Sequence, residues 1–549
     1  MSKRIHINLL SAVLLALLTA CGTTPSGPAV VHPVEEAQTT EAEAVDSQPE
    51  DLFQRDPSER SLDEVAALTK SLPPYQPDLA LEILRSLESV PSGRLMAMIE
   101  SQALDPEFTE WLELTLQARS LATSNRSITA AAATWSDYHY GHVIGQLEFT
   151  DLVRRYKALF PAPARVAVLL PEEGGLAPAA RAIRDGILSA YLEQPGNTSL
   201  RFYSSGKNAE SAIAAYRQAR EDGATQVIGP LRLAATRALS ALGDLSVPVL
   251  LLNEPADELA ANPGQENLID ELADDLRAAP EQGSAPLEQV NAAQERNSAV
   301  TSLTLSQTEE AAMVARRALE QGQKNALMIV ANTAWGTRME STFATAFEQG
   351  DGRILATTHF SPATSDHSRM LTQLLKIDES KQRKTDLQSW LGVGLTFEPS
   401  RRDDFDFIFL AAQPSKGREI KPLLRFHDTG DVPVYAMGRI YSGKVAQAND
   451  QDLDGVVFPT TPWQLNLTEN DSNLPDSVRD GSFGNLYALG RDAWSLLPWL
   501  PLLQKDPDLK FEGNTGTLLL QPDGRFLRQP AWAQFSGGQL VPYQWPPGP

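Results

Sequence analysis

The spacing of apolar residues changes near residue 160 and divides the chain into a helical region and an α/β region. Between residues 51 and 160, apolar side chains recur three and four positions apart, as at Leu79, Ile83 and Leu87. This period predicts amphipathic helices. The predicted helices lie at about 79–87, 95–99, 106–116, 127–138 and 147–159.

These short helices are separated by breaks such as Pro91-Ser92-Gly93. Short helices with Pro and Gly turns favour stacked helix pairs, so residues 51–160 are predicted to form a small TPR-like domain. An irregular helical bundle is the alternative, because no repeat of about 34 residues is visible.

From Arg165 onward, continuous apolar runs alternate with helical segments. The runs are Arg165–Leu170, Leu200–Tyr203, Gln226–Gly229 and Pro248–Leu252, then Ala326–Val330, Arg353–Thr357, Phe405–Leu410, Pro433–Ala436 and Gly455–Phe458. Strands buried on both faces and joined by helices predict parallel sheets with right-handed crossovers. Two such sets, followed by a hairpin pattern at 516–527, predict a bilobed α/β domain over residues 161–549.

The N-terminus carries the pattern of a lipoprotein signal peptide at residues 1–20. Lys3 and Arg4 precede about ten apolar residues, too few to span a bilayer as a helix. Leu18-Thr19-Ala20 then lead to Cys21, the only cysteine of the chain. This arrangement resembles a bacterial lipobox, in which the cysteine is lipidated. An ordinary secretory signal with a stray cysteine is the alternative.

Charge adds two polar segments to this picture. The net charge of −23 argues against nucleic acid as a partner, because phosphates require basic surfaces. Residues 22–50 contain six acidic residues and no Lys or Arg, so residues 21–50 are predicted to form a disordered acidic tether behind the acylated cysteine. A second acidic stretch, at about 254–300, is predicted to be an insertion in the α/β domain.

Catalytic patterns are absent from the sequence. It contains no Gly-x-Ser-x-Gly elbow, His-Glu-x-x-His zinc motif or phosphate-binding Walker loop. Asp403, Asp404 and Asp406 are interpreted as a solvated loop with local ion pairs, and His139 and His142 as a polar helix end rather than a metal site. We therefore expect a protein that is not an enzyme and has no cofactor.

Several short motifs carry a resemblance to a known family. Val166–Pro171, Val227–Leu231 and Gly513–Thr517 resemble the type I periplasmic binding protein fold, and the motifs that resemble the family are Gly229-Pro230-Leu231, Tyr487–Gly490 with Asp492-Ala493-Trp494, and Gly513–Thr517. With the order of lipobox, tether, helical domain and two lobes, the chain resembles the penicillin-binding protein activator LpoA family, which has a type I periplasmic-binding-protein-like C-terminal domain. The helical domain is shorter than is usual in that family.

The resemblance implies a non-catalytic lipoprotein at the periplasmic face of the outer membrane. It would dock on a class A penicillin-binding protein, a bifunctional peptidoglycan synthase, and regulate peptidoglycan synthesis. Gly22 favours the outer membrane, because an aspartate after the cysteine would resemble the inner-membrane retention signal. The alternative is a lipid-anchored receptor whose lobes close on a small polar solute.

For that alternative, the fold places candidate cleft residues after the strands of each lobe, where parallel sheets bind ligands. They are Glu172, Gly174, Gly175, Arg232, Asn253 and Trp335, and their ligand is unknown. Two other tryptophans receive structural predictions. Trp494 lies in a helical apolar pattern and is expected in the core, whereas Trp545, beside terminal prolines, is expected to be exposed.

Overall fold

The structure is a computed structural model that describes residues 55–547, except 73, 125, 194–195, 243–244, 254–298, 445, 467–473, 476–477 and 479–482. The expected signal peptide, Cys21 and the tether lie outside the described residues, as does nearly all of the acidic insertion.

The region before the first strand is helical, as its apolar period predicted. Its described helices are α1 (Leu62–Lys70), α2 (Pro77–Ser86), α3 (Ser92–Glu100), α4 (Pro106–Ala122), α5 (Ile128–Tyr138) and α6 (Gln146–Ala158). Polar caps set where they begin. Ser61 and Glu64 form a capping box at α1, and the side chains of Asp105 and Ser127 accept backbone N–H groups at α4 and α5.

The first lobe is built on a five-stranded parallel sheet with the strand order β2-β1-β3-β4-β5. The strands are β1 (Arg165–Leu170), β2 (Ser199–Ser204), β3 (Gln226–Ile228), β4 (Val249–Leu251) and β5 (Val300–Ser302), and the helices between them are α7 (Ala177–Glu193), α8 (Ala209–Glu221) and α9 (Leu233–Ser240). The sequence predicted the first four strands. It missed β5, whose first residue was assigned to the acidic insertion.

The second lobe begins with five further strands and the helices around them. The strands are β6 (Asn325–Ala331), β7 (Arg353–Phe360), β8 (Phe407–Ala411), β9 (Val434–Ala436) and β10 (Val456–Thr460). The helices are α10 (Gln307–Glu320), α11 (Ala334–Gln349), α12 (Ser368–Leu374), α13 (Ile377–Leu391), α14 (Pro414–Phe426), α15 (Gln447–Asp450) and α16 (Pro462–Leu465).

The last part of the chain contributes to both lobes. It forms α17 (Gly484–Ser495), α18 (Leu500–Lys505), β11 (Lys510–Glu512), β12 (Thr517–Leu520), β13 (Phe526–Gln529), β14 (Ala531–Ser536) and β15 (Gln539–Pro542). Strands β11, β12 and β13 make an antiparallel sheet. Strands β14 and β15 extend the second lobe, whose order becomes β15-β14-β10-β9-β8-β6-β7. The predicted hairpin at 516–527 is confirmed as β12 and β13.

The chain crosses from one lobe to the other three times. The passages lie between β5 and α10, between β10 and α17, and at Pro530 between β13 and β14. The bridge from Ser302 to Arg525 joins the hairpin to the first sheet, whereas β14 pairs with β10 in the second. The bilobed architecture expected from the alternating pattern is therefore confirmed.

Buried side chains of the helical region and of one face of the first lobe's sheet form one continuous apolar cluster. It runs from Trp111 and Trp135 in the helices to Ile183 in α7 and Trp494 in α17. A separate cluster, which includes Leu169 and Tyr216, lies on the other face of that sheet. Trp494 is buried, as predicted. The second lobe has its own apolar cluster, which includes Phe343, Phe407 and Phe458.

Two glycines allow α7 and α17 to cross closely. A Cβ atom added at Gly186 would lie 2.0 Å from the carbonyl oxygen of Tyr487, and one added at Gly490 would lie 2.1 Å from that of Ile183. Each helix thus presents a residue without a side chain to the backbone of the other. Tyr487–Gly490 is part of a motif that carried the family resemblance, so this motif has a packing role.

We expect Gly490→Ala to lower the free energy of unfolding by about 1–3 kcal/mol, because overpacking must push the helices apart. Helix propensity alone would favour Ala by about 1 kcal/mol, so a loss can be attributed to the crossing. Urea unfolding midpoints provide the measurement. Gly430→Ala is the matched control, since nothing lies within 4 Å of its added Cβ; equal stability of both variants would contradict the packing role.

Candidate functional site

The predicted cleft residues of the first lobe lie in loops after its strands. Glu172 and Gly174 are exposed and Gly175 is half-buried between β1 and α7. Arg232 is half-buried at the N-cap of α9, and its Nε atom is buried without a hydrogen-bond partner among the described residues. Asn253 follows β4 and is buried, with its Nδ2 atom donating to the carbonyl oxygen of Leu231 at 3.0 Å.

Trp335, the predicted cleft residue of the second lobe, is buried at the start of α11. Its Nε1 atom donates to the side-chain oxygen of Gln307, and the guanidinium of Arg439 lies 5.3 Å from its ring centroid. The structure therefore brings Asn253 next to the loop of Arg232, while Trp335 makes its polar contact within the second lobe.

One cavity of the first lobe lies at the opposite end of its sheet. It has a volume of about 290 Å³ and is lined by residues that include Arg165, Arg201, Tyr203 and Asp222. Arg165 is the first residue of β1, so this cavity opens at the amino ends of the strands. Ligands of open α/β sheets bind at the carboxyl ends, and this cavity does not contain the predicted cleft residues.

The junction between the lobes is organised by Asp492, which is fully buried in α17. Its Oδ1 atom accepts from the backbone N of Asn514 at 2.6 Å and from Nδ2 of Asn514 at 2.8 Å. Its Oδ2 atom accepts from the backbone N of Thr515 at 2.7 Å and from Oγ1 of Thr515 at 2.6 Å. Burial raises the pKa of the Asp492 carboxyl, and these donors oppose that rise.

Gly513 leaves the space that this carboxylate needs. A Cβ atom added at Gly513 would lie 2.5 Å from Oδ2 of Asp492. The carbonyl oxygen of Asn514 also accepts from the backbone N of Trp463, which lies on the passage from β10 to α17. The motif Gly513–Thr517 and the motif around Asp492 are therefore two halves of one structure, which the sequence had identified only as separate family motifs.

A largely buried ion pair extends the junction into the second lobe. Arg528 of β13 donates through Nη1 to the carbonyl oxygen of Thr515 at 3.2 Å, and its Nη2 atom lies 3.7 Å from Oε2 of Glu310 in α10. Glu310 also accepts from the backbone N of Gly438. Burial raises the pKa of Glu310 and lowers the pKa of Arg528, while each charge opposes the shift of the other. No sequence motif singled out either residue.

A second buried ion pair joins the helical region to the first lobe. Nη1 of Arg119 in α4 lies 2.8 Å from Oδ2 of Asp506, and both side chains are fully buried. Asp506 also accepts from the backbone N and the hydroxyl of Ser92, at 3.0 Å and 2.6 Å. The hydroxyl of Thr123 donates to the carbonyl oxygen of Lys510 at 2.7 Å. Polar contacts therefore fasten α3 and α4 to the segment around β11.

The acidic triplet of the α/β domain makes the local contacts expected of a loop. Oδ1 of Asp404 lies 2.6 Å from Nε of Arg402. Oδ2 of Asp406 accepts from the backbone N atoms of Lys324 and Asn325, both at 2.8 Å. Asp403 is exposed. These interactions connect strand ends and form no acid–base pair.

The two histidines of the helical region lie beside glutamates of α4. Nε2 of His139 lies 3.3 Å from Oε2 of Glu113, and Nε2 of His142 lies 3.8 Å from Oε2 of Glu110. Nδ1 of His142 accepts from the backbone N of Ile144 at 3.1 Å. This acceptor role places the proton of the neutral ring on Nε2. Among the described residues, no group of three His, Cys, Asp or Glu side chains is arranged to hold a metal ion.

Trp545 is half-buried, so the prediction that it would be exposed is wrong. Its ring centroid lies 5.0 Å from those of Tyr435 and Trp532. Strands β9 and β14 bring these two aromatic rings together, and the terminal segment after β15 covers them.

No helix in the described part of the chain is long and apolar enough to cross a bilayer.

The two α/β lobes with three connecting passages have a type I periplasmic-binding-protein-like fold. The chain also matches the family described as LppC putative lipoprotein, over residues 76–268 and 267–538. These segments cover most of the sequence. The chain therefore belongs to this lipoprotein family.

Curated relatives agree with this assignment. The penicillin-binding protein activator LpoA of Photobacterium profundum is 23% identical over 79% of this chain and 65% of its own length. That of Vibrio antiquarius is 22% identical over 80% of this chain and 68% of its own length. The match thus spans about two thirds of these relatives. The resemblance inferred from the motifs is confirmed, and both relatives are named as activators.

A solved structure of LpoA from Haemophilus influenzae has the same fold. It aligns with a TM-score of 0.50 and 18% identity over 88% of this chain and 77% of that chain. The aligned share extends beyond the two lobes into the helical region, so the similarity concerns the combined architecture.

Asp492→Asn tests the junction. The substitution replaces an acceptor oxygen with an NH₂ group that faces N–H donors, so we expect the free energy of unfolding to fall by about 2–4 kcal/mol. Asp403→Asn, the same change at an exposed position, should alter stability by about 0.5 kcal/mol or less. Urea unfolding gives both values, and equal losses would contradict a special role for Asp492.

His142 predicts a dependence of stability on pH. Burial lowers the pKa of His142 to about 4, below the value of about 6.5 for an exposed histidine. The unfolded chain therefore binds more protons between about pH 6.5 and pH 4, and the free energy of unfolding should fall on acidification through this window, by on the order of 2 kcal/mol.

The variant His142→Asn keeps an acceptor for the amide of Ile144 and removes the titrating ring. Urea unfolding at pH 7 and pH 5 should show a smaller loss for this variant than for the wild type. His359→Asn changes an exposed histidine and serves as the control. An unchanged pH dependence in His142→Asn would show that other groups cause the loss.

Proposed function

We propose that this protein is a lipid-anchored regulator that docks on a class A penicillin-binding protein and stimulates peptidoglycan synthesis. The observation that carries the proposal is the family match along most of the chain, together with relatives named as penicillin-binding protein activators. The family match includes the helical region and both lobes, so we propose that these parts act together as the regulator.

The buried contacts support a docking role. An activator of this kind binds the active conformation of its target more tightly than the inactive one and so shifts the population. It must therefore present its surface in a defined geometry. Breaking either the pair of Arg119 and Asp506 or that of Glu310 and Arg528 would leave buried charges unpaired, at a cost of about 3–5 kcal/mol.

The alternative, a solute receptor, has less support from the cleft residues. A receptor of this fold needs polar groups that can bind a ligand when the lobes close. The amide of Asn253 donates to Leu231 and the indole of Trp335 donates to Gln307. These contacts give the two side chains a structural use and favour the regulator.

The proposed location rests on the sequence. Cys21 would carry the lipid at the periplasmic face of the outer membrane, with residues 21–50 as the tether. Two or more acyl chains anchor a protein stably, because each buried CH₂ contributes about 0.8 kcal/mol. The tether would let the helical region and the lobes reach a synthase from that membrane.

The variant Cys21→Ser separates anchoring from activation. With a purified class A penicillin-binding protein of the same organism, we expect the unlipidated variant to raise the rate of glycan polymerisation or peptide crosslinking, with saturation as its concentration increases. In cells, the same variant should leave the outer-membrane fraction, and activation should fall. Failure of the purified variant to bind and stimulate any class A synthase of the organism would overturn the proposed function.

A melting experiment with small polar solutes addresses the receptor. A specific ligand raises the melting temperature of the protein that binds it. If the protein is a regulator, we expect amino acids and muropeptides to leave its melting temperature unchanged. A saturable rise of the melting temperature would support the receptor instead.

A further inference from the structure

One helix of the second lobe projects with little burial. Helix α13 (Ile377–Leu391) lies in the long connection between β7 and β8, and only Ile377 and Ser380 of its residues are buried. Both lie in its first turn. The first turn therefore attaches the helix to the lobe, and the remaining turns extend over solvent.

The end of this helix carries an apolar patch, formed by Leu387, Trp390, Leu391 and Val393. Their exposed fractions are 49%, 83%, 49% and 56%. These are four of the ten large apolar residues that are exposed in the described part of the chain. Scattered exposed apolar residues are normal, but a contiguous group marks an interaction site.

The backbone holds the patch in a fixed arrangement. Leu387, Trp390 and Leu391 are spaced by three and four positions, so they lie on one face of the helix. Gly392 ends the helix in the left-handed conformation, with φ of 68°, and its N–H donates to the carbonyl oxygen of Gln388 at 2.9 Å. This cap turns the chain so that Val393 follows directly after the helical stripe.

Helical anchors with this spacing are typical of an amphipathic helix that binds in a groove of another protein. Tryptophan is also enriched among the residues that dominate binding energy at protein interfaces. In this chain, Trp390 is 83% exposed and packs in no core. Its side chain therefore adds little to folding and has its apolar area available for a partner.

Two basic residues lie near the patch on the same helix. Arg383 and Lys384 precede Leu387, with Asp386 between them, whereas Asp378 and Glu379 lie in the first turn, where Oδ1 of Asp378 is 3.9 Å from Nζ of Lys381. Lys381 and Arg383 are exposed, and Nζ of Lys384 lies 5.5 Å from the ring centroid of Phe397. A partner surface complementary to this region carries carboxylates around an apolar groove.

We propose that the patch of Leu387, Trp390, Leu391 and Val393 is a docking surface for a protein partner with an apolar groove rimmed by carboxylates. This inference rests on the proposed function, in which that partner is the class A penicillin-binding protein. An anionic membrane is disfavoured, because the net charge of the chain is repelled from anionic lipid. A second copy is disfavoured, because a symmetric contact sets the same basic residues against each other.

The test measures binding of the full chain to the purified synthase, with the wild type, Trp390→Ala and Lys384→Glu. We expect Trp390→Ala to weaken binding about tenfold or more, as is typical of an interface hot spot. Lys384→Glu should weaken binding chiefly at low ionic strength, because salt screens the attraction. Tyr140→Ala is the matched control, since Tyr140 is an aromatic residue that is 97% exposed on the helical region, and it should bind like the wild type.

Melting temperatures close to that of the wild type verify that the variants fold. If the wild type binds and stimulates the synthase but Trp390→Ala does so equally well, the docking surface is wrong and the proposed function stands. If the wild type neither binds nor stimulates any class A synthase, the proposed function fails and this inference fails with it.

Two further measurements test whether a membrane or a second copy of the chain occupies the patch instead. Sedimentation with phosphatidylglycerol vesicles tests the membrane, and analytical ultracentrifugation tests self-association. Loss of vesicle binding or of a dimer in Trp390→Ala, with synthase binding unchanged, would overturn the proposal in favour of that other occupant. Loss of synthase binding alone supports it.

Discussion

The arrangement of the two lobes depends on a buried carboxylate whose hydrogen-bonding capacity is met by a single loop. Asp492 accepts four hydrogen bonds from Asn514 and Thr515, and so fixes that loop against α17. The backbone N of Trp463, on one passage between the lobes, donates to this loop, and so does Arg528 of β13. A buried carboxylate without these donors would be costly, so the loop and α17 are held together.

The ion pair of Arg528 and Glu310 connects this junction to the second lobe. A similar pair, Arg119 and Asp506, fastens the helical region to the first lobe. Buried ion pairs contribute little net stability compared with apolar contacts, but separating one is expensive. Their effect here is to make large relative movements of these parts unfavourable, which suits a protein that acts through its surface.

The surface inferred for docking differs from the rest of the second lobe in its exposure to solvent. Helix α13 is attached to the lobe only through its first turn, and its last turn presents Trp390 to solvent. The apolar cluster of the second lobe is buried without any contribution from that side chain. A lobe of this fold can therefore carry a binding surface on a crossover connection without changing its core.

Local sequence determined most of the elements, because the spacing of apolar residues reflects the period of a helix or a strand directly. The helix predicted at 147–159 and the strand predicted at 165–170 match α6 and β1. Strand β5 was missed, because its three residues follow an acidic segment and give no period. Helix α13 was missed as well, because a mostly polar helix has only a short apolar stripe.

The contacts between distant segments were decided by the tertiary structure alone. No local pattern pairs Glu310 with Arg528 or Arg119 with Asp506, since each carboxylate looks like a solvated charge within its own segment. Trp545 was expected to be exposed because prolines follow it, yet β9 and β14 place Tyr435 and Trp532 beside it. Periodicity is a property of neighbouring residues, whereas burial of a charge or a ring depends on which remote segments the fold brings to it.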